Sequence, residues 1–365
     1  MDPQSSSYIP QTPPTIPALS LPANGATGIS TYPSLSWNAS SGATNYTLQV
    51  STSNTFGSFV YNQSGLTSAN RVINGLSYSN TYYWRVNATN SYGVSGWSNV
   101  WSFSTGVFPI TIDWISIPVG NFTMGSDTSD PGCYNHETPK HTVYLDAFQI
   151  SKYEITNAQY KSFIDYGGYN NSAYWTTEGW SWRTSNNITE PYYWSSGQYN
   201  SGPSFPNHPV VGVSWYEAYA FCMWAGSNLP TEAQWEKAAR GTSANNYWPW
   251  GSIWDASKCN SWENSTPDTF NYSSPVGYFS AGQSPYGVYD MAGNVYEWVN
   301  DWYQSNYYSS SPSINPTGPT SGTLHVIRSG SYVNNYMIDR SCRCALRYYG
   351  TPSDRNAIIG IRITR

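Results

Sequence analysis

Charge is what this sequence has least of. Lys, Arg, Asp and Glu together make up 10% of its 365 residues, well under the roughly 25% usual for soluble domains. With 16 basic residues, no cluster of them and a net charge of −5, a phosphate-tracking groove is excluded, so no nucleic-acid partner is expected. No apolar run approaches the roughly 20 residues that span a bilayer, and no membrane span is expected. The N-terminus has no basic region followed by an apolar stretch, so the chain is expected to be a mature or recombinant form. Catalytic signatures are missing too: there is no G-x-S-x-G elbow, no H-E-x-x-H and no phosphate-binding loop. His136, His141, His208 and His325 are scattered without helical ligand spacing, and His208, just before Pro209, reads as structural. The five cysteines are Cys133, Cys222, Cys259, Cys342 and Cys344. Their odd number leaves at least one thiol free or paired between chains, and none forms a C-x-x-C pair. In a strand Cys342 and Cys344 would share a face, a weak basis for a zinc knuckle.

What is present in excess is aromatic: 17% of the chain, with 33 Tyr and 18 Trp. Its surface must be built from Ser, Thr, Asn, Gly and Tyr. Hydroxyls and amides keep such a surface wet, while Tyr and Trp supply large contact areas at low entropic cost. That profile suits a secreted or cell-surface protein whose partner is a protein or glycan ligand. Residues 1–20 are rich in Pro, Ser and Thr and read as an extended, poorly packed lead-in.

Residues 21–105 alternate apolar and polar positions in short runs separated by Gly, Asn and Ser, the pattern of an all-β sandwich. Trp37 is expected to point inward, Tyr46, Leu48 and Val50 to share a face, and Tyr82, Trp84 and Val86 to oppose Tyr83, Arg85 and Asn87. The spacing of Leu76 and Tyr82 is that of a tyrosine corner, where a Tyr hydroxyl satisfies a backbone group. The stretch resembles a fibronectin type III module, which implies a spacer role.

Residues 108–365 have Gly-rich turns and three helix starts. A capping box needs Ser or Thr at the N-cap and Glu or Gln three residues on; Thr156 with Gln159, Ser214 with Glu217 and Thr231 with Gln234 all fit. The second and third helices stop at Gly226 and Gly241, and the SNLP link between them predicts a compact packed pair. The remainder reads as short strands and structured loops.

The blocks IPVGNFTMGS, KYEITNAQYKSFI, HPVVGVSWYEAYAFCMWAGSNLPTEAQWEKAARG, YGVYDMAGNVYEWVNDWY, IRSGSY and IIGIR stand in this order. Together they resemble the formylglycine-generating enzyme, or sulfatase-modifying-factor, family. The resemblance implies an α+β, loop-rich, C-type-lectin-like domain over residues 108–365. It also implies a copper ion held by two thiolates, three and eight residues after the Ser of a Gly-Ser pair, because Cu(I) prefers soft sulfur. Counting from Ser331, those positions are Asn334 and Asp339. Neither can replace a thiolate, so copper is not expected. Two family cysteine pairings are also broken: Cys344 faces Ala239 in place of its usual partner, and Cys222 faces Ile363. Cys222 is expected to be a buried free thiol.

The resemblance also implies two calcium sites of hard oxygen ligands. One would use Asp290 and Glu297 with carbonyls at Gly293 and Val295, near Asn294; the other Asn260 and Asp268 with carbonyls at Ser261 and Phe270. The alternative is that Asn294 and Glu297 only hold loops together. In C-type-lectin-like binders, including variable proteins diversified by retroelements, the last segment presents contact residues. Its equivalents here are Asn334, Asn335, Tyr336, Asp339, Tyr348, Tyr349, Asn356 and Ala357, set between framework residues Arg347, Pro352, Arg355 and Gly360. No catalytic residue is assigned, and the expected role is ligand binding or adhesion. The alternatives are a formylglycine-generating oxidoreductase with rewired ligands, in which Cys342 and Cys344 are candidate replacements, and a self-assembling subunit of a surface polymer.

Overall fold

The structure is a computed structural model that describes residues 12–73, 76–106, 110–261, 270–333 and 341–365. The chain divides into two units, Met1–Pro109 and Ile110–Arg365. In the first, strands β1 (Leu19–Leu21), β2 (Ala26–Ile29), β3 (Ser34–Trp37), β4 (Asn45–Ser51), β5 (Tyr61–Leu66), β6 (Asn70–Val72), β7 (Thr81–Asn90), β8 (Gly93–Val94) and β9 (Trp101–Thr105) form two sheets. One has the order β1-β3-β6 and the other β2-β9-β7-β4-β5, with β8 on β7. The register sets Leu48 opposite Val86 and Val50 opposite Trp84, so the alternating apolar positions of β4 and β7 face one core with Trp37 and Tyr82. The Tyr82 hydroxyl accepts a hydrogen bond from the Ser77 amide at 2.9 Å, which completes the tyrosine corner.

The lead-in is not loose over its described part. Pro14, Pro17 and Leu19 are buried, and β1 pairs with β3. A polyproline-type strand has three residues per turn, so prolines three apart present their rings to the same neighbour.

The second unit is built from β10 (Trp114–Ile117), β11 (Gly120–Met124), β12 (His141–Leu145), β13 (Phe148–Ser151), α1 (Asn157–Asp165), α2 (Thr177–Ser185), α3 (Trp215–Ala225), α4 (Glu232–Arg240), β14 (Tyr296–Trp302), β15 (His325–Arg328), β16 (Tyr348–Gly350) and β17 (Ile359–Ile361). Two hairpin-like pairs, β10-β13 and β11-β12, accompany a four-stranded sheet of order β16-β15-β14-β17, in which β17 runs parallel to β14. All three capping boxes are formed. Helix α2 escaped the sequence reading because its N3 residue is Gly179; Thr176 still caps it by accepting from the Gly179 amide at 3.0 Å.

Helices α3 and α4 do not form the compact pair that their short link suggested. Phe221 and Trp224 of α3 pack on Tyr160 and Phe163 of α1, whereas Ala233, Trp235, Ala238 and Ala239 of α4 enter the core between strands. Gly226 in the left-handed region turns the chain. Asn228 then exchanges two backbone hydrogen bonds with Thr364, so the link travels beside the C-terminal segment and delivers α4 to a different neighbour.

Many of the scarce charges are buried as ion pairs. Arg328 bridges Glu232 and Glu236 at 2.7 and 2.8 Å, Arg347 reaches Glu232, and Arg240 reaches Glu236. Arg343 pairs with Glu137, Arg355 with Glu217 and Arg362 with Glu297. Guanidinium forks bind a carboxylate and loop carbonyls at once; Arg343 also donates to the Gly132 carbonyl and Arg347 to that of His136. These pairs fasten irregular loops that have no ladder of their own.

Candidate functional site

Six aromatic rings form a continuous chain on the second unit. Tyr134 stacks on His136 at 5.6 Å between centroids, and His136 meets the edge of Tyr303 at 6.1 Å. Tyr303 lies 4.2 Å from Tyr349, Tyr349 stacks on Tyr348 at 5.7 Å, and Tyr348 on Tyr296 at 5.7 Å. Tyr134, Tyr348 and Tyr349 are 42%, 54% and 42% exposed, which leaves their faces open to a partner. The chain rests on the ionic framework: the Arg347 guanidinium lies under Tyr303 and Tyr308 while gripping Glu232 through Nε and Nη2. Burial, with Cys342, Tyr348 and Tyr134 close by, pushes the Tyr296 phenol above its ordinary value. Burial likewise lowers His136.

Cys342, which neighbours Tyr296, belongs to a small apolar cluster with Trp248, Cys259 and Ala292, with Tyr247, Trp250 and Trp254 around it. Cys344 points elsewhere, into the main core beside Ala239. Residues 342–345 are turn and not strand. Cys342 and Cys344 therefore do not share a face, and the reading of them as a joint ligand pair is corrected. Cys222 is fully buried in α3, where burial raises its thiol.

Of the contact residues read from sequence, Tyr348 and Tyr349 are in the platform. Asn356 is exposed but sits apart in a loop, its carbonyl accepting from the Gly212 amide at 3.0 Å. Ala357 is buried and cannot present a contact surface, because Tyr332 closes over it and donates toward its carbonyl. Asn334, Asn335, Tyr336 and Asp339 lie outside the described residues, as does Asp268. The framework residues behave as framework: Arg355 holds Glu217, and a Cβ at Gly360 would stand 2.6 Å from the Val210 carbonyl oxygen. Sequence reasoning missed Tyr134, His136, Tyr296 and Tyr303, which stand far from Tyr348 along the chain with no local pattern to mark them.

Calcium would need hard oxygen ligands at the acidic positions. Glu154, Asp290 and Glu297 are all buried. Asp290, in the left-handed region, accepts from the Gly277 amide at 2.6 Å, and burial pushes it up to about 6. Burial and then the Asp290 charge raise Glu154 well above the carboxylate range. Glu154 Oε2 accepts from Asn294, while Oε1 is buried without a protein partner. An orphaned oxygen among repelling carboxylates fits a hard cation. Glu297 fits less well, since Arg362 and Trp235 occupy both of its oxygens. The Gly293 carbonyl accepts from Ser329, and the Val295 side chain is core. At the second site Asn260 bonds Tyr272 and Asn294, Ser261 is buried, and Phe270 packs on Tyr278. Among the described residues no three His, Cys, Asp or Glu side chains gather as a metal site, so calcium would draw on backbone carbonyls. For copper, Asn334 and Asp339 offer no sulfur, and the donor set does not fit Cu(I).

Comparison with known proteins assigns both units. Residues 23–109 match the Rha78A-like N-terminal immunoglobulin domain, in keeping with the β-sandwich. The formylglycine-generating enzyme of Thermomonospora curvata is 34% identical over 281 residues, covering 68% of this chain and 91% of that protein. The enzyme of Bos taurus is 34% identical over 278 residues, covering 68% and 73%. The solved structure of PvdO from Pseudomonas aeruginosa superposes with a TM-score of 0.54 at 27% identity, covering 69% of this chain and 93% of PvdO. Residues 109–365 match the sulfatase-modifying factor enzyme 1-like domain, and the chain belongs to that family.

Proposed function

We propose that the family domain of this protein binds a protein or glycan ligand at or outside the cell surface and does not perform copper-dependent oxidation of cysteine to formylglycine. The observation that carries this reading is the half-exposed ring chain Tyr134–His136–Tyr303–Tyr349–Tyr348–Tyr296. Tyr rings held in place by packing give contact area with little entropy left to lose, and their faces stack on the apolar faces of sugars or on planar groups. Where the copper enzymes carry two thiolates, this chain carries Asn334 and Asp339. Calcium held near Glu154 and Asp290 would neutralise the buried carboxylates and fix the loop that leads into β14.

The experiment is a glycan array probed with the full chain, in parallel with the Tyr348→Ala/Tyr349→Ala variant. Binding by the parent that the variant loses supports the reading. Binding that the variant retains places the contact elsewhere.

A second reading is an oxidoreductase with different metal ligands. It is favoured by the 34% identity to formylglycine-generating enzymes and by the two thiols, Cys259 and Cys342, in the cluster that neighbours Tyr296. Aldehyde formation on a Cys-x-Pro-x-Arg peptide supplied with copper separates the two readings.

A further inference from the structure

Cys259 and Cys342 stand 83 positions apart in the sequence (342 minus 259), yet both are buried in the same aromatic cluster, at 3% and 0% exposure. Within that cluster the Cys342 side chain neighbours the Cys259 thiol and is the first cause of its raised value, ahead of burial. The segments that carry them are fixed by backbone hydrogen bonds on every side. The Asn260 carbonyl accepts from the Asn294 amide at 2.8 Å, the Asn294 carbonyl from Tyr332 at 2.8 Å, and the Tyr247 carbonyl from Cys344 at 2.8 Å. Gly330 allows the close approach: a Cβ there would lie 2.8 Å from the Cys342 sulfur. The remaining thiols have no such partner position. Cys222 is inside α3, Cys344 is in the main core, and Cys133 is partly exposed on a loop.

We infer that Cys259 and Cys342 form a structural disulfide that ties the 259–261 loop to the turn at residues 342–345, beside the aromatic platform. The oxidant is an external disulfide of the glutathione class, and the exchange takes place during folding. One cysteine, deprotonated, attacks a sulfur of the external disulfide and releases one small thiolate, which takes up a proton. The second cysteine gives up its proton and attacks the mixed disulfide, releasing the second small thiol. One S–S bond is broken and one is made, and the two cysteine hydrogens end on the two released thiols. In the reduced pair the Cys342 side chain and burial push the Cys259 thiol well above its ordinary value, so the exchange belongs to the stage before Trp248 and Trp254 pack around the sulfurs. A bond in that cage is shielded from reduction while the protein stays folded.

Peptide mapping tests this on the full chain, refolded in a glutathione and glutathione-disulfide buffer and then denatured in alkylating reagent without reductant. Trypsin cuts after Lys258, Arg328, Arg340 and Arg343. Cys259 is then the one cysteine of segment 259–328, Cys342 falls in Ser341–Arg343, and Cys344 falls in a separate peptide. The expected product is segment 259–328 joined to Ser341–Arg343, lighter by two hydrogen atoms than the sum of the reduced peptides. It should be absent from the Cys259→Ser variant. Recovery of Cys259 and Cys342 as separately alkylated peptides, or of Cys342 joined to another cysteine, overturns the inference.

Discussion

Tyr303 and Tyr349 hold their rings 4.2 Å apart between centroids at an interplanar angle of 33°, and so join the residue just beyond β14 to the middle of β16. Replacing Tyr349 by Ala removes one stacking face, worth about 0.5–1.5 kcal/mol, up to about tenfold in Kd. Isothermal titration with whichever glycan the array identifies is expected to show that loss. The thermal midpoint should stay near that of the parent, because Tyr349 is half-exposed.

Glu232 is the keystone under this surface. It accepts from Arg328 at 2.7 Å and from Arg347 through two hydrogen bonds, with all three side chains out of water. Burial opposes its charge, but the two arginines win and lower its carboxyl below the usual range. Glu232→Gln leaves the buried Arg347 without its counter-ion and Arg328 with Glu236 alone, at a cost of roughly 3–5 kcal/mol. The urea midpoint is expected to fall accordingly, and ligand binding should weaken as well, since Arg347 supports Tyr303.

Asp301 gives the structure a pH dependence. Burial first, then the Glu232 charge, pushes its carboxyl up to about 8, although it accepts from the Glu232 amide. A carboxyl raised on folding holds a proton that the unfolded chain releases. Its contribution is therefore fully present below the ordinary value of 3.8 and is lost as pH rises through about 8. Urea unfolding across that range should show the parent losing stability toward alkaline pH. Asp301→Asn, which keeps an acceptor and cannot ionise, should flatten the slope.

Calcium is expected to act through Glu154 and Asp290. Adding it at about a hundred times its Kd should stabilise the fold by about 2.7 kcal/mol, read as a rise in Tm that excess EDTA reverses and that Asp290→Asn removes. An unchanged Tm in calcium and in EDTA assigns these carboxylates to loop bonding alone.

Local chemistry was legible in the sequence wherever it repeats over a few residues. Thr156, Ser214 and Thr231 announce their helices because a capping box closes within four positions. Tyr46, Leu48 and Val50 announce a buried face because strands alternate. The family blocks carried the fold of the second unit. Long-range partners left no such trace. Nothing local marks Arg328, Arg343 and Arg362 as interior residues, yet all three are buried, because their carboxylates come from elements far away in the chain. Tyr348 and Tyr349 stand next to each other in the sequence, while Tyr134, Tyr296 and Tyr303 join them only when β14 and β16 share a sheet. The expected pairing of α3 with α4 failed because Asn228 bonds to Thr364 across the fold, a contact that the length of the link cannot reveal.

Retention of the family's scaffold without its copper chemistry is the expectation for this chain. It is tested most directly by incubating the full protein with copper, oxygen and a peptide containing Cys-x-Pro-x-Arg, then scoring the peptide by mass for conversion of its thiol to an aldehyde. The account predicts an unconverted peptide, with a formylglycine-generating enzyme converting it in parallel. Catalytic aldehyde formation by this chain would contradict it.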